Sequence, residues 1–146
     1  MIIPDVNILV YAFHADAVEH DLCAKWLNAV LGEPVQLGLV DAVLTGFLRV
    51  VTNQRIFTDA ATMKAALLFT DILRSAPRSQ PVLPTDATWD QFAMFAERDP
   101  FIVGNLVPDA WIAALAITNS ARVATADTGF ARFEGLSWFN PAEIAT

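Results

Sequence analysis

Asp5, Asp109 and Asp127 are the residues through which this chain could do chemistry. Each stands at the edge of an apolar run. Asp5 follows Met1-Ile2-Ile3-Pro4, Asp109 follows Leu106-Val107-Pro108, and Asp127 follows Val123-Ala124-Thr125-Ala126. Carboxylates at the ends of buried elements can converge on folding. Two of them about 4 Å apart repel by roughly 4 kcal/mol at an effective dielectric near 20, so such a cluster calls for a cation. Oxygen-only ligands suit Mg²⁺ or Mn²⁺. An ion of that kind orients and polarises phosphate and lowers the pKa of water, which makes phosphodiester hydrolysis the natural reaction. Asn7 and Thr125 are neutral side chains placed to hydrogen-bond and orient the carboxylates. The residues alone leave ordinary alternatives open: Asp5 as a helix cap, Asp109 as a first-turn acid after Pro108, and Asp127 as a turn residue before Thr128-Gly129.

The elements that must position these acids are legible as alternating strands and helices. Ile2 to Pro4 reads as a short buried strand, and Asp5 begins a helix or turn through Leu9, Val10 and Phe13. Ala17 to Leu31 has helical spacing, with Leu22, Trp26, Leu27 and Val30 on one face, and Gly32 stops it. Pro34 to Val40 is a second strand. Asp41 to Thr52 is a helix with Val43, Phe47, Leu48 and Val51 as its apolar face. Asp59 is the expected cap of a helix carrying Leu67, Leu68, Ile72 and Leu73. The breaker-rich run from Ala76 to Pro81 reads as a loop, followed by a third strand from Pro81 to Leu83. Asp86 begins a helix holding Trp89, Phe92 and Phe95, and Pro108 begins a very apolar helix ending at Thr118. Arg122 to Thr125 and Leu136 to Phe139 are the fourth and fifth strands. This alternation predicts an α/β chain: a three-layer α/β/α fold with a mainly parallel, roughly five-stranded central sheet. In such sheets the functional crevice lies beyond the carboxyl ends of the strands, where Asp5 and Asp127 would emerge.

At 146 residues the chain has the size of one domain, residues 1–146, with no repeat or dividing linker. Its hydrophobic share of 55% is ample for a core. The longest apolar stretch falls well short of the ~20 residues a membrane-spanning helix needs. The N-terminus lacks a basic region, and Asp5 and Asn7 interrupt its apolar run, so it does not read as a signal peptide. Cys23 is the single cysteine, which rules out an internal disulfide and fits a reducing cytoplasm. Its place in an amphipathic helix makes it a packing residue. A net charge of −7 argues against a broad basic surface for nucleic acid, although acids that hold a metal count as negative only until it binds. Any grip on RNA must then be local or shared between subunits.

His14 and His20 lack a helical ligand spacing and have no evident second pair of ligands, so zinc is not expected. Neither has a serine or cysteine partner for a nucleophilic triad. Arg49, one helical turn from Gly46, is a candidate contact for a substrate phosphate or for a carboxylate, with a solvated or structural role equally open; Arg132 could act likewise. Trp26, Leu27, Phe47 and Leu48 read as core, though any left exposed could form a groove for a partner helix. No glycine-rich phosphate loop points to nucleoside triphosphate chemistry.

Several of these segments resemble a known family. Asp5-Val6-Asn7-Ile8-Leu9 after an apolar strand is similar to the first acidic motif of PIN domains. Val107-Pro108-Asp109-Ala110, continuing to Ala113-Ala114-Leu115-Ala116, resembles the third motif. Thr125-Ala126-Asp127-Thr128-Gly129-Phe130-Ala131-Arg132-Phe133, with Gly135-Leu136 and Trp138, resembles the fourth. Gly46-Phe47-Leu48-Arg49-Val50-Val51-Thr52-Asn53 resembles a VapC-type branch common in mycobacteria. The resemblance spans nearly the whole chain. It implies a Mg²⁺- or Mn²⁺-dependent endoribonuclease acting on structured RNA, a tRNA or ribosomal RNA. It further implies the toxin half of a toxin–antitoxin pair, a homodimer, and a VapB-type antitoxin that covers the site. Asp5, Asp109 and Asp127 match the family's metal ligands.

One position departs from the pattern. Most PIN domains carry a Glu on the helix after the second strand, where this chain has Gly46. Asp41 is the candidate substitute acid, but five helical residues separate it from Gly46 by roughly 140° and about 7.5 Å along the axis. The departure keeps a second reading alive, a PIN fold that binds antitoxin or RNA without cutting. A weaker third is a metal-dependent phosphatase for a small substrate.

Overall fold

The computed structural model describes residues 1–144, and the strand at the centre of its sheet is β1, Ile2–Pro4. Beside it lie β2 (Leu37–Leu39) and β4 (Arg122–Ala124), with β3 (Ser79–Pro81) and β5 (Ser137–Phe139) at the edges, so the order is β3-β2-β1-β4-β5. All four pairings are parallel. The chain moves outward from β1 through β2 to β3, then returns to the opposite side of β1 for β4 and β5. The β1–β4 boundary is therefore the point where the strand order reverses, and a crevice opens beyond the carboxyl ends at such a point. Pro4 sits opposite Ala124, which sets Asp5 and Thr125 side by side at the mouth of that crevice. The ladder continues past the strands: the Asp5 N–H donates to the Ala124 carbonyl at 2.9 Å, and the Thr125 N–H donates to the Phe139 carbonyl at 2.9 Å.

Six helices cover the sheet: α1 (Val6–Phe13), α2 (His20–Gly32), α3 (Asp41–Val51), α4 (Met63–Ser75), α5 (Asp86–Arg98) and α6 (Leu106–Thr118). They complete the expected three-layer α/β/α architecture. α1 packs against α2 and α3, while α5 packs against α6. The core joins Ile3, Leu37 and Val123 from the strands to Leu9, Leu27, Phe47, Leu115 and Phe130 from the layers around them. α6 is buried on most sides, with Ala110 and Ile112 to Ala116 all inside, as its apolar composition requires. None of the helices described is long and apolar enough to cross a membrane.

Several boundaries differ from the sequence expectation, each for a local reason. β3 spans Ser79–Pro81 and not Pro81 to Leu83. It is an edge strand, so the polar Ser79 and Gln80 carry no burial signature, and the supposed loop runs directly into the sheet. α4 is capped by Thr62, whose Oγ1 accepts from the Ala65 N–H at 3.1 Å, and not by Asp59. Its buried stripe is Ala66, Thr70 and Leu73, which leaves Leu67, Leu68 and Ile72 exposed. α6 begins at Leu106, so Pro108 is its third residue, where a missing N–H removes no helical bond. Of the four expected core residues, Leu27 and Phe47 are buried and Trp26 and Leu48 are half-buried against the core.

Candidate functional site

Asp5 leaves β1 with extended backbone and caps α1, its Oδ1 accepting from the Val6 N–H at 2.7 Å. Its other oxygen, Oδ2, accepts from the Thr125 hydroxyl at 2.8 Å and from the Asn7 amide at 3.2 Å. The cap and the functional candidate are thus one residue, with the two oxygens divided between the tasks. Thr125 is fully buried and also accepts from the Asp127 N–H at 3.0 Å through its Oγ1. The Asn7 side-chain oxygen accepts from the Ala126 N–H at 3.2 Å. Asn7 and Thr125 therefore cross-brace the ends of β1 and β4. Asp127 caps a short 3₁₀ turn, Thr128–Arg132, by accepting from the Gly129 N–H at 2.7 Å. Asp109 sits in the first turn of α6, three residues after its opening residue Leu106.

These elements bring Asp5, Asp109 and Asp127 to the wall of one cavity of about 450 Å³, with Asn7 and Arg49 also in its lining. The carboxylates influence one another there. Burial pushes the Asp109 pKa up to about 6, and the negative Asp5 and Asp127 add to the rise while Arg132 opposes it. Asp5 is raised by burial and by Asp127, against the hydrogen bonds from Thr125, Val6 and Asn7 that favour its charged form. The trio is nevertheless open: no choice of one oxygen from each brings all three within 4.8 Å.

Among the described lining residues Arg49 is the only lysine or arginine, and it makes no ion pair with a described residue. Arg132 instead pairs with Asp99 at 3.1 Å. Asp41 is not part of this cavity. It faces a separate one, with Leu39, Arg74 and Ser79, beyond β2 and β3, in keeping with its helical offset from Gly46. Its helix is capped by Val40, with Asp41 as the first helical residue. Gly46 lies where α3 meets α1, and a Cβ there would stand 3.1 Å from Val6 Cγ2. Sequence reasoning passed over Tyr11 and Trp111 in the cavity lining. Neither carries a signal of its own in sequence: Trp111 sits in an apolar helix, where an aromatic reads as core, and Tyr11 belongs to no motif.

The histidines part company. His20 Nδ1 donates to the Tyr11 carbonyl at 2.8 Å. His14 stands with Asp16 and Asp59, one ligand atom from each lying within 4.8 Å of the others, a grouping hidden in sequence because Asp59 comes from the segment after α3. Cys23 is buried in α2, and burial pushes its thiol up to about 11, which suits a packing role.

The chain is similar to known proteins along its whole length. It matches the PIN-domain family profile over residues 2–136. It is 41% identical to VapC ribonuclease Mb2897 of Mycobacterium bovis over 146 residues, covering 100% of this chain and 99% of that protein. Ribonuclease VapC43 of Mycobacterium tuberculosis matches with the same 41% identity over the same 100% and 99%. Among solved structures, VapBC2 from Rickettsia felis, bound to a DNA fragment from its promoter, superposes with a TM-score of 0.70 at 22% identity, covering 96% of this chain and 98% of that one.

Proposed function

The chain belongs to the PIN-domain family, and on that premise we propose that it is an endoribonuclease, the toxin component of a VapBC-type toxin–antitoxin system. The reaction is hydrolysis of phosphodiester bonds in RNA, with a tRNA or ribosomal RNA as substrate. The observation that carries this reading is the convergence of Asp5, Asp109 and Asp127 on one cavity at the switch point of the sheet. Their oxygen-only donor set and the upward pressure on Asp5 and Asp109 suit a divalent cation. Mg²⁺ and Mn²⁺ keep several waters and take few carboxylates directly, which fits three acids lining one cavity. When bound, such an ion supplies charge to neutralise phosphate and to acidify an attacking water.

The chain's own residues hold and aim the rest. Thr125 and Asn7 fix the Asp5 carboxylate toward the cavity, so little reorganisation is needed when a cation or phosphate arrives. Arg49 offers the phosphate a guanidinium not engaged elsewhere among the described residues. The two acids raised by burial make an empty site unfavourable at neutral pH, which favours loading.

We further assign a cognate VapB-type antitoxin as partner, a homodimer as the assembly and the cytoplasm as the compartment. Co-expression with a VapB-type antitoxin and light scattering test the first two. Gly46 supports the alternative of a binding module, since it removes a carboxylate from the α3 wall. Incubation with total RNA, with and without Mn²⁺, beside Asp5→Ala separates the readings. Discrete metal-dependent fragments lost in Asp5→Ala support the nuclease; retention of uncut RNA supports the binding module.

A further inference from the structure

We propose that Trp89 and Trp111 form a stacking platform for an unpaired nucleobase beside the scissile phosphate. The proposal rests on the ribonuclease reading of the neighbouring cavity. Trp111 is half-buried on α6, two residues beyond Asp109, and its side chain lines the cavity that holds the three aspartates. The Trp89 indole of α5 lies against it, ring centroids 4.5 Å apart and planes inclined at 54°. Phe92 packs edge-on against both, 6.0 Å from Trp111 and 6.5 Å from Trp89. Trp89 is nonetheless 59% exposed, so the aromatic cluster is buttressed on one side and open on the other. Trp111 lines the acidic cavity, and Trp89 in contact with it reaches solvent.

Charge explains why such a surface would be used. The chain carries −7, and Arg49 is the only cation among the described residues lining the cavity. Phosphate contacts alone give this protomer a weak hold on RNA. Stacking on aromatic rings is independent of charge, and every base presents a π-face. A base can stack only when it is out of a helix, so the preferred substrate has an unpaired or splayed nucleotide at the cleaved bond, a loop or bulge and not a continuous duplex.

Steady-state cleavage of a short loop RNA by Trp89→Ala and Trp89→Phe tests this, since an exposed ring can be truncated without opening the core. Expected for Trp89→Ala is a KM raised about tenfold with kcat nearly unchanged, and recovery in Trp89→Phe. A matching RNA with an abasic nucleotide next to the cleaved bond should lose the same factor with the native chain and nothing further with Trp89→Ala. The slope of affinity against salt should not move, because no phosphate contact is removed. An unchanged KM, a fall in kcat alone, or a shift in oligomeric state that accounts for the loss would each overturn the platform. Binding of the intact and abasic RNAs in EDTA is read separately. If the native chain cuts no RNA, the nuclease reading fails; if both RNAs then bind equally, the platform fails as well.

Discussion

Thr125 shows how much one buried hydroxyl does here: it donates to Asp5 Oδ2 at 2.8 Å and accepts from the Asp127 N–H at 3.0 Å. Thr125→Val keeps the shape and removes these two bonds and a third, accepted from the Asn7 amide at 3.3 Å, leaving the buried Asp5 carboxylate with one donor fewer and the Asp127 N–H short of a partner. A hydrogen bond to a charged group contributes about 1.5–3 kcal/mol, so the variant should lose roughly 2 kcal/mol in chemical denaturation, whereas Thr125→Ser should keep most of it. Asp109 gives a pH signature. Its pKa of about 6 in the folded chain lies above the ordinary carboxylate value, chiefly from burial and then from Asp5 and Asp127. A raised acid means that the folded state holds the proton more tightly than the unfolded chain does. The associated stability is present at low pH, declines as pH rises through roughly 4 to 6, and is gone at neutrality. Asp109→Asn should therefore raise the Tm of the metal-free protein at pH 7.5, have little effect at pH 4, and abolish both cleavage and the Tm gain from added Mg²⁺. A lower Tm for Asp109→Asn at pH 7.5 would contradict the assigned cause. The sequence exposed these acids, with Asn7 and Thr125, because each borders a continuous apolar run. It concealed Trp111 as a lining residue, because an aromatic in an apolar helix reads as core until the fold shows its outer side.

At the level of elements, α6 ends in a Schellman arrangement. The Ala121 N–H donates to the Ala116 carbonyl at 2.8 Å and the Ser120 N–H to that of Ile117 at 3.2 Å. Ser120 takes the left-handed position with φ of 51°, where a side chain costs about 1–2 kcal/mol and glycine costs little. Ser120 is exposed, so Ser120→Gly should raise Tm by roughly 3 °C without touching activity. On α3, Gly46 lets the helix approach α1, and a Cβ would meet Val6 Cγ2 at 3.1 Å. Val6 lines the cavity, so Gly46→Glu directs a carboxylate toward the acids at the cost of displacing Val6 slightly. Mn²⁺ titration should show tighter binding by Gly46→Glu, further improved with Val6→Ala; unchanged affinity in both would remove Gly46 from the account of the proposed metal site. Elements were legible where burial imposes a period, as in β1, α3 and α6. They were misplaced where it does not: β3 is a polar edge, and α4 turns Ala66 and Thr70 inward while Leu67, Leu68 and Ile72 face out. Apolarity alone could not say which of two stripes on α4 would find the core.

Across the whole molecule, the acidic balance visible in the sequence becomes informative only when the sheet topology places its parts. Asp5 and Asp127 follow β1 and β4, strands far apart in the chain but adjacent and parallel in the sheet, and α6 delivers Asp109 to the same crevice. Alternating elements predicted the layers; the order β3-β2-β1-β4-β5, which makes this the switch point, depends on pairings that no local pattern encodes. The same placement concentrates negative charge where a polyanion must bind, with Arg49 alone among the described cavity residues to oppose it. RNA affinity should accordingly respond weakly to salt. For a single strand the logarithm of affinity falls with a slope of about −0.7 per phosphate contact, and one to three contacts give a slope of roughly −0.7 to −2. Raising salt from about 50 to about 200 mM should then weaken binding by roughly 3- to 16-fold, against the thousandfold or more expected of a protein with a broad basic face. Fluorescence polarisation of a labelled loop RNA in EDTA measures this directly. Arg49→Ala should flatten the slope by about 0.7, while Trp89→Ala should weaken binding and leave the slope alone. A native slope of about −4 or steeper would mean that phosphate contacts outside this cavity dominate, and that a basic surface assembled between subunits carries the RNA.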